Sequence, residues 1–167
     1  MAQPQGLTLV AGRYSVTFNS VALGYLESNG SSDPSVELIP LAEAVNQTDG
    51  WGDATIDFVS RGSDAFAQLI CKEYKAGSIG AAWPYGTWGV FLTSGLMMGD
   101  SYAKPLVLTA IAGTTAASAP ASITATYALP APNNPIRLLY GPTLRKVPIR
   151  FVLLPYDATG YKHFVQA

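Results

Sequence analysis

The residues best suited to nucleophilic catalysis are Cys71 and His163, the single cysteine and the single histidine of the chain. Such chemistry needs a thiol or hydroxyl held beside a base. His163 lies four residues from the C-terminal end, where chains often fray and hold a base poorly. We therefore expect a buried apolar thiol and a surface histidine, not a catalytic dyad, and we predict that the protein is not an enzyme.

Metal and cofactor motifs are not recognisable in the sequence. Zinc needs about four nitrogen or sulfur ligands, and the chain has only one cysteine and one histidine. Asp49, Asp53 and Asp57 are spaced by four, but the alternating oxygens and closing glutamate of a calcium loop are missing. Phosphate-binding glycine loops and the Gly-x-Ser-x-Gly elbow are missing as well. We expect no metal and no cofactor.

Aromatic side chains are concentrated in one uncharged segment between Lys75 and Asp100. Flat rings on loops can stack on sugars, so one interpretation is a carbohydrate-binding β-sandwich module that uses Trp51, Trp83, Tyr85 and Trp88. A second interpretation is a helix packed on its own sheet. A third is burial against a neighbouring subunit, where such side chains are enriched. The candidate inter-subunit apolar set is Trp83, Tyr85, Trp88, Phe91 and Met98.

Charged residues are scarce. The 167 residues are 49% hydrophobic and 13% charged, against roughly 25% charged residues in ordinary soluble domains. Because so few charges are available to cover the surface of a monomer, we expect other protein to cover part of it. Ten basic and eleven acidic residues give a net charge of −1, which excludes a general attraction for nucleic acid.

Two segments carry opposite charge. Residues 27–64 contain eight acidic residues and Arg61, a net of −7, whereas residues 137–162 contain five basic residues and Asp157, a net of +4. Opposite poles allow a head-to-tail contact between copies, which closes into rings or continues as a filament. Pairing of the two segments within one subunit explains the pattern equally well. The candidate inter-subunit basic set is Arg137, Arg145, Lys146 and Arg150.

The elements that must position these residues are mostly strands. Turn signals such as Asn19-Ser20 and Asp49-Gly50 recur at short intervals, as is typical of antiparallel β sandwiches and barrels. Between the turns, apolar and polar residues alternate in three segments, which predicts one buried and one exposed face for each strand. The apolar members of these segments are Tyr14, Val16, Phe18, Ile56, Phe58, Ile123, Ala125 and Tyr127.

Three further segments are assigned from composition and period. Residues 147–154 are apolar and rich in β-branched side chains, which predicts a strand buried on both faces or against a neighbour, with Pro148 at an edge or a bulge. Residues 65–74 are also predicted to form a strand. In residues 85–102 the apolar side chains recur at helical spacing, which predicts the one clear helix.

No repeat or linker divides the chain, so we expect a single domain over residues 1–167, with short arms at residues 1–12 and 164–167. No stretch of about 18 apolar residues predicts a membrane span. The first residues lack a basic segment followed by an apolar one, so we expect no secretory signal. The single cysteine agrees with assembly in a reducing cytoplasm.

Four stretches of sequence carry a resemblance to a known family: residues 143–157, the Arg61-Gly62 turn, residues 71–77 and residues 106–110. Together, over residues 12–164, they resemble the tail tube (major tail) proteins of long-tailed bacteriophages. The resemblance implies a mainly β fold, an antiparallel sandwich or barrel of the tail-tube type with one flanking helix. It carries no catalytic signature. Tail terminators, neck components and capsid decoration proteins are related alternatives.

The resemblance also implies a role and partners. Subunits of this family form rings, commonly hexamers, that stack into a β-lined tube in the virion, and the tube conducts DNA into the host without binding it tightly. The partners would be further copies of this chain and other tail proteins such as the tape measure, tail tip and terminator, assembled in the host cytoplasm. Because tube lumens of the family are often negatively charged, the candidate lumen or ring-stacking set is Glu37, Glu43, Asp49, Asp53 and Asp57.

Overall fold

A computed structural model describes residues 14–26, 36–48, 55–71, 80, 83–85, 98–113, 119–133, 147–157 and 162–167. This part of the chain is almost entirely strand. The strands are β1 (Tyr14–Phe18), β2 (Val21–Leu26), β3 (Val36–Thr48), β4 (Thr55–Cys71), β5 (Lys104–Ala110), β6 (Ser122–Pro130), β7 (Val147–Leu154) and β8 (Val165–Gln166), and the one named helix is α1 (Met98–Tyr102). Every strand pairing is antiparallel, so the predicted mainly β, antiparallel fold is confirmed.

The strands form one open sheet in the order β2-β1-β5-β6-β7-β4-β3. β8 is an additional strand that pairs with β6. Among the described strands, β2 and β3 are therefore the two edges. Although β2 and β4 are far apart in this order, they also pack against each other. Leu23 of β2 is buried in the same apolar cluster as Ala67 and Leu69 of β4. The sheet thus curls around its apolar face.

The core is built from alternate residues of the central strands. The alternation in β1 gives a buried residue at every second position, as the sequence predicts. Each large side chain that is fully buried contributes about 1.5–3 kcal/mol relative to its exposed state. The largest buried side chains are Phe151, Leu23, Leu69, Leu106, Leu108, Ile149, Leu153 and Val16.

Two residues that the alternation assigns to the core are exposed, so their prediction is wrong. Phe58 is 62% exposed and Tyr127 is 47% exposed. Tyr127 lies where β6 changes face, because Ala125 before it and Ala128 directly after it are both buried. The pairing of β5 with β6 shifts register at this point, and such an irregularity rotates the strand locally. Phe58 lies in a part of β4 that extends past the end of its neighbour β7.

The predicted strand over residues 65–74 is confirmed as far as Cys71, and residues 72–74 lie outside the described part of the chain. The strand over residues 147–154 is confirmed as β7, an interior strand. β6 pairs only with residues 151–154 of β7, so Pro148 lies past the end of that ladder. Locally β7 has a described neighbour on one side only, which suits a residue without an N–H group.

Most of the predicted helix, residues 86–97, lies outside the described part of the chain. Within the described residues 98–102, the chain forms the single helical turn α1. One turn of helix is not stable by itself. α1 is held by packing on β6, and it lies close to β7: a Cβ atom at Gly99 would be 3.2 Å from Leu154 Cδ1.

The C-terminal residues are part of the sheet. Val165 and Gln166 pair with β6, and the backbone of Ala167 exchanges two hydrogen bonds of 2.9 Å with that of Ser122. Phe164 packs against the core. Residues 164–167, predicted to form an arm, therefore lie against the sheet, because β6 offers them a free edge beyond the end of β7. Residues 1–12, the other predicted arm, lie outside the described part of the chain.

Candidate functional site

β3 and β4 continue beyond the sheet as a two-stranded extension. Only residues 65–71 of β4 pair with β7. Residues 41–48 of β3 and 55–64 of β4 pair with each other and with no other described strand. We name these two stretches the arm. At about 3.3 Å per residue, the portion of β3 that belongs to the arm is about 26 Å long.

A bulge bends the arm near its base. Glu43 lies opposite Gly62 in the register. The next residue, Ala44, lies opposite Ser60, which leaves Arg61 as an extra residue on β4. Gly62 has a φ of +130°, a conformation that residues with a side chain rarely adopt. Because bulges increase the twist of a strand and bend it, Gly62 sets the direction in which the arm leaves the sheet.

Large apolar side chains are exposed on the arm. Leu41 is 49% exposed and Val59 is 53% exposed, and Phe58 is the most exposed of the large hydrophobic side chains that the structure describes. An isolated two-stranded hairpin is marginally stable at best in water. An arm of this kind gains stability when another molecule covers its apolar side chains.

The described members of the acidic set lie on the same two strands as the arm. Glu37, Glu43 and Asp57 are exposed; Glu43 and Asp57 belong to the arm, whereas Glu37 lies within the sheet. The Asp57 carboxylate accepts a hydrogen bond of 2.7 Å from the backbone N–H of Phe58. The carboxylate is therefore held beside the backbone of Phe58. Outside the described residues lie Asp49 and Asp53.

Arg150 is the member of the basic set that the structure describes. It is half-buried on β7, and its guanidinium carbon lies 4.4 Å from the centroid of the Phe66 ring on the neighbouring strand β4. Cation–π contacts of this kind stabilise a protein by about 0.5–2 kcal/mol. Arg150 thus packs within its own subunit. Arg137, Arg145 and Lys146 lie outside the described residues.

Tyr85, a member of the apolar set, packs inside its own chain. It is 4% exposed, and its hydroxyl donates a hydrogen bond to the carbonyl of Pro130. The rings of Trp83 and Tyr102 meet it edge-on, with centroids 5.4 and 5.2 Å away. Burial, with a smaller effect of Tyr102, raises the pKa of Tyr85 to about 12. A ring this enclosed has no free face for a sugar or a neighbouring subunit.

The structure describes only some of the other aromatic and apolar candidates. Trp83 is half-buried beside Tyr85, and α1 begins at Met98. Trp51, Trp88 and Phe91 lie outside the described residues. The structure therefore brings Trp83 and Tyr85 together and leaves the rest of this set untested.

His163 is buried, so the prediction of a surface histidine is wrong. Its Nδ1 atom lies 2.7 Å from the carbonyl oxygen of Leu153, and because a carbonyl only accepts, Nδ1 donates. Its Nε2 atom lies 3.0 Å from the hydroxyl oxygen of Ser63. Cys71 lies eight residues further along the same strand as Ser63, about 26 Å away. The backbone of Cys71 is therefore far from the position where His163 contacts Ser63.

The pairing of a serine hydroxyl with an imidazole is also the arrangement of a nucleophile with its base. In this chain a backbone carbonyl, that of Leu153, holds the imidazole in place of the carboxylate of a catalytic triad. Ser63 lies at the base of the arm, and His163 lies two residues before the start of β8. The pair therefore fastens the C-terminal segment to the arm.

The described part of the chain shows neither a metal site nor a membrane-spanning helix. That part contains no group of three or more His, Cys, Asp or Glu residues placed to hold a metal ion. It also contains no helix of the length and apolar character needed to cross a membrane. Three of the six large hydrophobic side chains that are exposed among the described residues, Leu41, Phe58 and Val59, lie on the arm.

Comparisons with known proteins do not assign the chain to a family. No protein-family model matches it, and no curated protein matches it significantly. The function has to be argued from the residues of the chain itself.

The apolar residues of the arm are the functional candidates that the sequence alone does not reveal. Phe58 is assigned to the core by its alternation, and Leu41 and Val59 do not stand out. A signal is nevertheless present in strand length: β3 and β4 have 13 and 17 residues, whereas β1 and β7 have 5 and 8. Strands that long must project beyond their neighbours in the sheet.

Proposed function

We propose that this protein is a structural subunit that assembles with copies of itself into stacked rings, as in the tail tube of a long-tailed bacteriophage. The observation that carries the proposal is the arm, which holds Leu41, Phe58 and Val59 largely exposed to solvent. The scarcity of charge over the whole chain supports it, because a surface with so few ionic groups is suited to burial between subunits.

The expected free energies indicate that a stable assembly needs many arm contacts at once. Covering three half-exposed apolar side chains contributes on the order of 2–5 kcal/mol. Losing translational and rotational freedom costs at least about 4 kcal/mol for two proteins. One arm contact therefore makes only a weak pair. In a ring each subunit gives one contact and receives another, and stacking adds more, so the closed assembly is far more stable than a dimer.

The edges of the sheet support the same proposal. β2 and β3 are open edges among the described strands, and unpaired strand edges favour pairing with another chain. Pro40 interrupts the edge of β3, since it has no N–H group to donate. Strand pairing between subunits is therefore expected on either side of Pro40 and along β2, but not at Pro40 itself.

The acidic side chains agree with a tube that conducts DNA. Glu37, Glu43 and Asp57 are exposed on one two-stranded element. A surface of like sign repels a passing polyanion and keeps it from adhering, as long as the salt concentration does not screen the charges. In the proposed assembly these residues face the lumen or the junction between rings.

Negative-stain electron microscopy of the purified protein, over a range of concentrations, tests the proposal. Discs, rings or tubes of uniform diameter are expected at high concentration. A particle that stays monomeric at every concentration would contradict a self-assembling subunit. Titration with a panel of sugars, followed by tryptophan fluorescence, provides the control, because a tube subunit gives no saturable response.

A further inference from the structure

A cavity of about 420 Å³ lies beside the turn between β1 and β2. Its volume is within the range of about 300–1,000 Å³ in which proteins enclose small molecules, so one aromatic side chain fits inside it. Apolar side chains form most of the described lining, and an amide and an ammonium group add polarity. The lining residues used below are Phe18, Asn19, Val21, Pro84, Tyr102 and Lys104.

The cavity and the Phe58 position on the arm lie at different levels along the strands of the sheet. Phe18 pairs with Leu106, and β5 begins two residues earlier at Lys104, so the cavity lies where β5 begins. The antiparallel pairings of β4 with β7, of β7 with β6 and of β6 with β5 show which residues of β4 and β5 lie at the same level. They place Ala65, directly after the arm on β4, level with Lys104, and the arm extends from there towards the level at which β5 finishes at Ala110. The arm of one molecule is thus directed away from its own cavity.

The walls of the cavity are fixed by contacts within the subunit. The Phe18 ring packs on Phe151 with centroids 5.0 Å apart, and Tyr102 packs edge-on against Tyr85. The turn has positive φ at both of its residues, 49° at Asn19 and 64° at Ser20, as tight β-hairpin turns require. The N–H of Asn19 also donates to the Pro105 carbonyl at 2.9 Å. A preformed cavity loses little entropy on binding.

We propose that this cavity receives the Phe58 side chain of a second copy of this chain, with the Asp57 carboxylate of that copy beside Lys104. The inference rests on the proposed function, because it names the contact through which the subunits assemble. The match is chemical: an exposed aromatic ring whose neighbouring residue carries a carboxylate meets an apolar cavity with an ammonium group. An ammonium group is attracted both to a carboxylate and to the face of an aromatic ring.

The placement of the two partners determines the symmetry of the contact. Because the arm and the cavity are different surfaces, and the arm is directed away from its own cavity, each copy can give one contact and accept another. Such a heterologous, head-to-tail contact does not stop at a dimer. It continues until a ring closes or a filament forms, which is the behaviour that the proposed function needs.

Cross-linking between two single-cysteine variants tests the contact. Both are made in a Cys71→Ala background; one carries Asn46→Cys, which lies opposite Phe58 on the arm and leaves the ring in place, and the other carries Val21→Cys in the cavity. One protein is ¹⁵N-labelled, so that mixed dimers are recognised by mass after oxidation. The matched control replaces Val21→Cys by Val165→Cys, which is similarly exposed, lies on β8 and does not line the cavity. Mixed dimers with Val21→Cys are expected to exceed those of the control about tenfold, because disulfides form only when the two Cβ atoms come within about 4.5 Å.

Two substitution series provide a second readout, the concentration at which half of the protein is assembled. Phe58→Ser is expected to raise it about tenfold, as loss of a buried aromatic contact does at other interfaces. Asp57→Lys and Lys104→Asp are each expected to raise it about threefold or more, and the double variant to return towards the wild-type value.

The outcomes separate the two proposals. If wild-type particles form but cross-linking does not exceed the control, or if Phe58→Ser assembles like the wild type, this contact is wrong and self-assembly stands. If the wild-type protein forms no particles by electron microscopy, both the contact and the proposed function are overturned.

Discussion

His163 Nε2 lies 3.0 Å from Ser63 Oγ, and this hydrogen bond joins the C-terminal segment to the base of the arm. The same imidazole donates through Nδ1 to the Leu153 carbonyl on β7. β8 follows His163 closely and pairs with β6. One buried side chain therefore connects β4, β7 and the last strand of the chain, at the point where the arm leaves the sheet.

Replacing His163 is expected to destabilise the fold. His163→Ala leaves the Ser63 hydroxyl and the Leu153 carbonyl without this partner and lowers the free energy of unfolding by about 1–3 kcal/mol. Ser63→Ala removes only one of the two hydrogen bonds and is expected to cost about 1 kcal/mol. Urea unfolding followed by circular dichroism measures both. Equal stability of His163→Ala and the wild type would show that the two hydrogen bonds contribute nothing.

Gly62 is expected to tolerate no side chain. No atom lies within 4 Å of a Cβ built at Gly62, so the cost of Gly62→Ala is conformational and comes from its φ of +130°. A residue held in such a region is destabilised by about 1–3 kcal/mol. Gly80→Ala is the matched control, because Gly80 also has open space around it but no positive φ. Thermal unfolding of both variants checks this; equal midpoints would show that the bulge conformation is not required.

The buried hydroxyl of Tyr85 is expected to make stability fall in alkaline solution. Its pKa is about 12 in the folded protein, against an ordinary value of 10.0 for tyrosine, so the folded state holds the proton more tightly. The resulting stabilisation is complete below pH 10 and is lost as the pH rises from 10 towards 12.

Comparison with Tyr85→Phe isolates this effect from the other tyrosines. Between about pH 9 and about pH 11, the wild type is expected to lose about 1 kcal/mol more unfolding free energy than the variant. Urea unfolding at the two pH values gives the difference. Parallel losses in the two proteins would mean that Tyr85 does not ionise late.

Arg150 is expected to stabilise its own subunit through Phe66. Arg150→Ala and Phe66→Leu each remove the contact of the guanidinium with the ring, so their effects on unfolding should not add. A double-mutant cycle is expected to give a coupling free energy of about 0.5–1 kcal/mol. Strict additivity would instead leave Arg150 available for a contact between subunits.

Strand positions can be predicted from this sequence because alternation and turn residues are local signals. Asn19 and Ser20 form the predicted turn, and both have the positive φ that a two-residue hairpin loop needs. The alternation of β1 gives the correct buried face. β7 is found where its β-branched composition indicates a strand.

Burial cannot be predicted from the sequence where it depends on which other element packs against a strand. Phe58 alternates with polar neighbours like a core residue, but no described element covers the arm, so the same pattern is exposed. Tyr127 is exposed because a register shift in the pairing with β5 changes which side chains of β6 face the core. His163 is buried because the end of β7 leaves space beside β6, a property of the sheet order that no local pattern contains.

Light scattering during size-exclusion chromatography, at increasing protein concentration, tests most directly the claim that other copies cover the arm. The measurement compares the wild type with a variant that carries Leu41→Ser, Phe58→Ser and Val59→Ser. The wild type is expected to rise from the monomer mass of 17.6 kDa to large assemblies, and the variant to remain folded at the monomer mass. A wild type that stays at 17.6 kDa at every concentration, or a variant that assembles equally well, would contradict it.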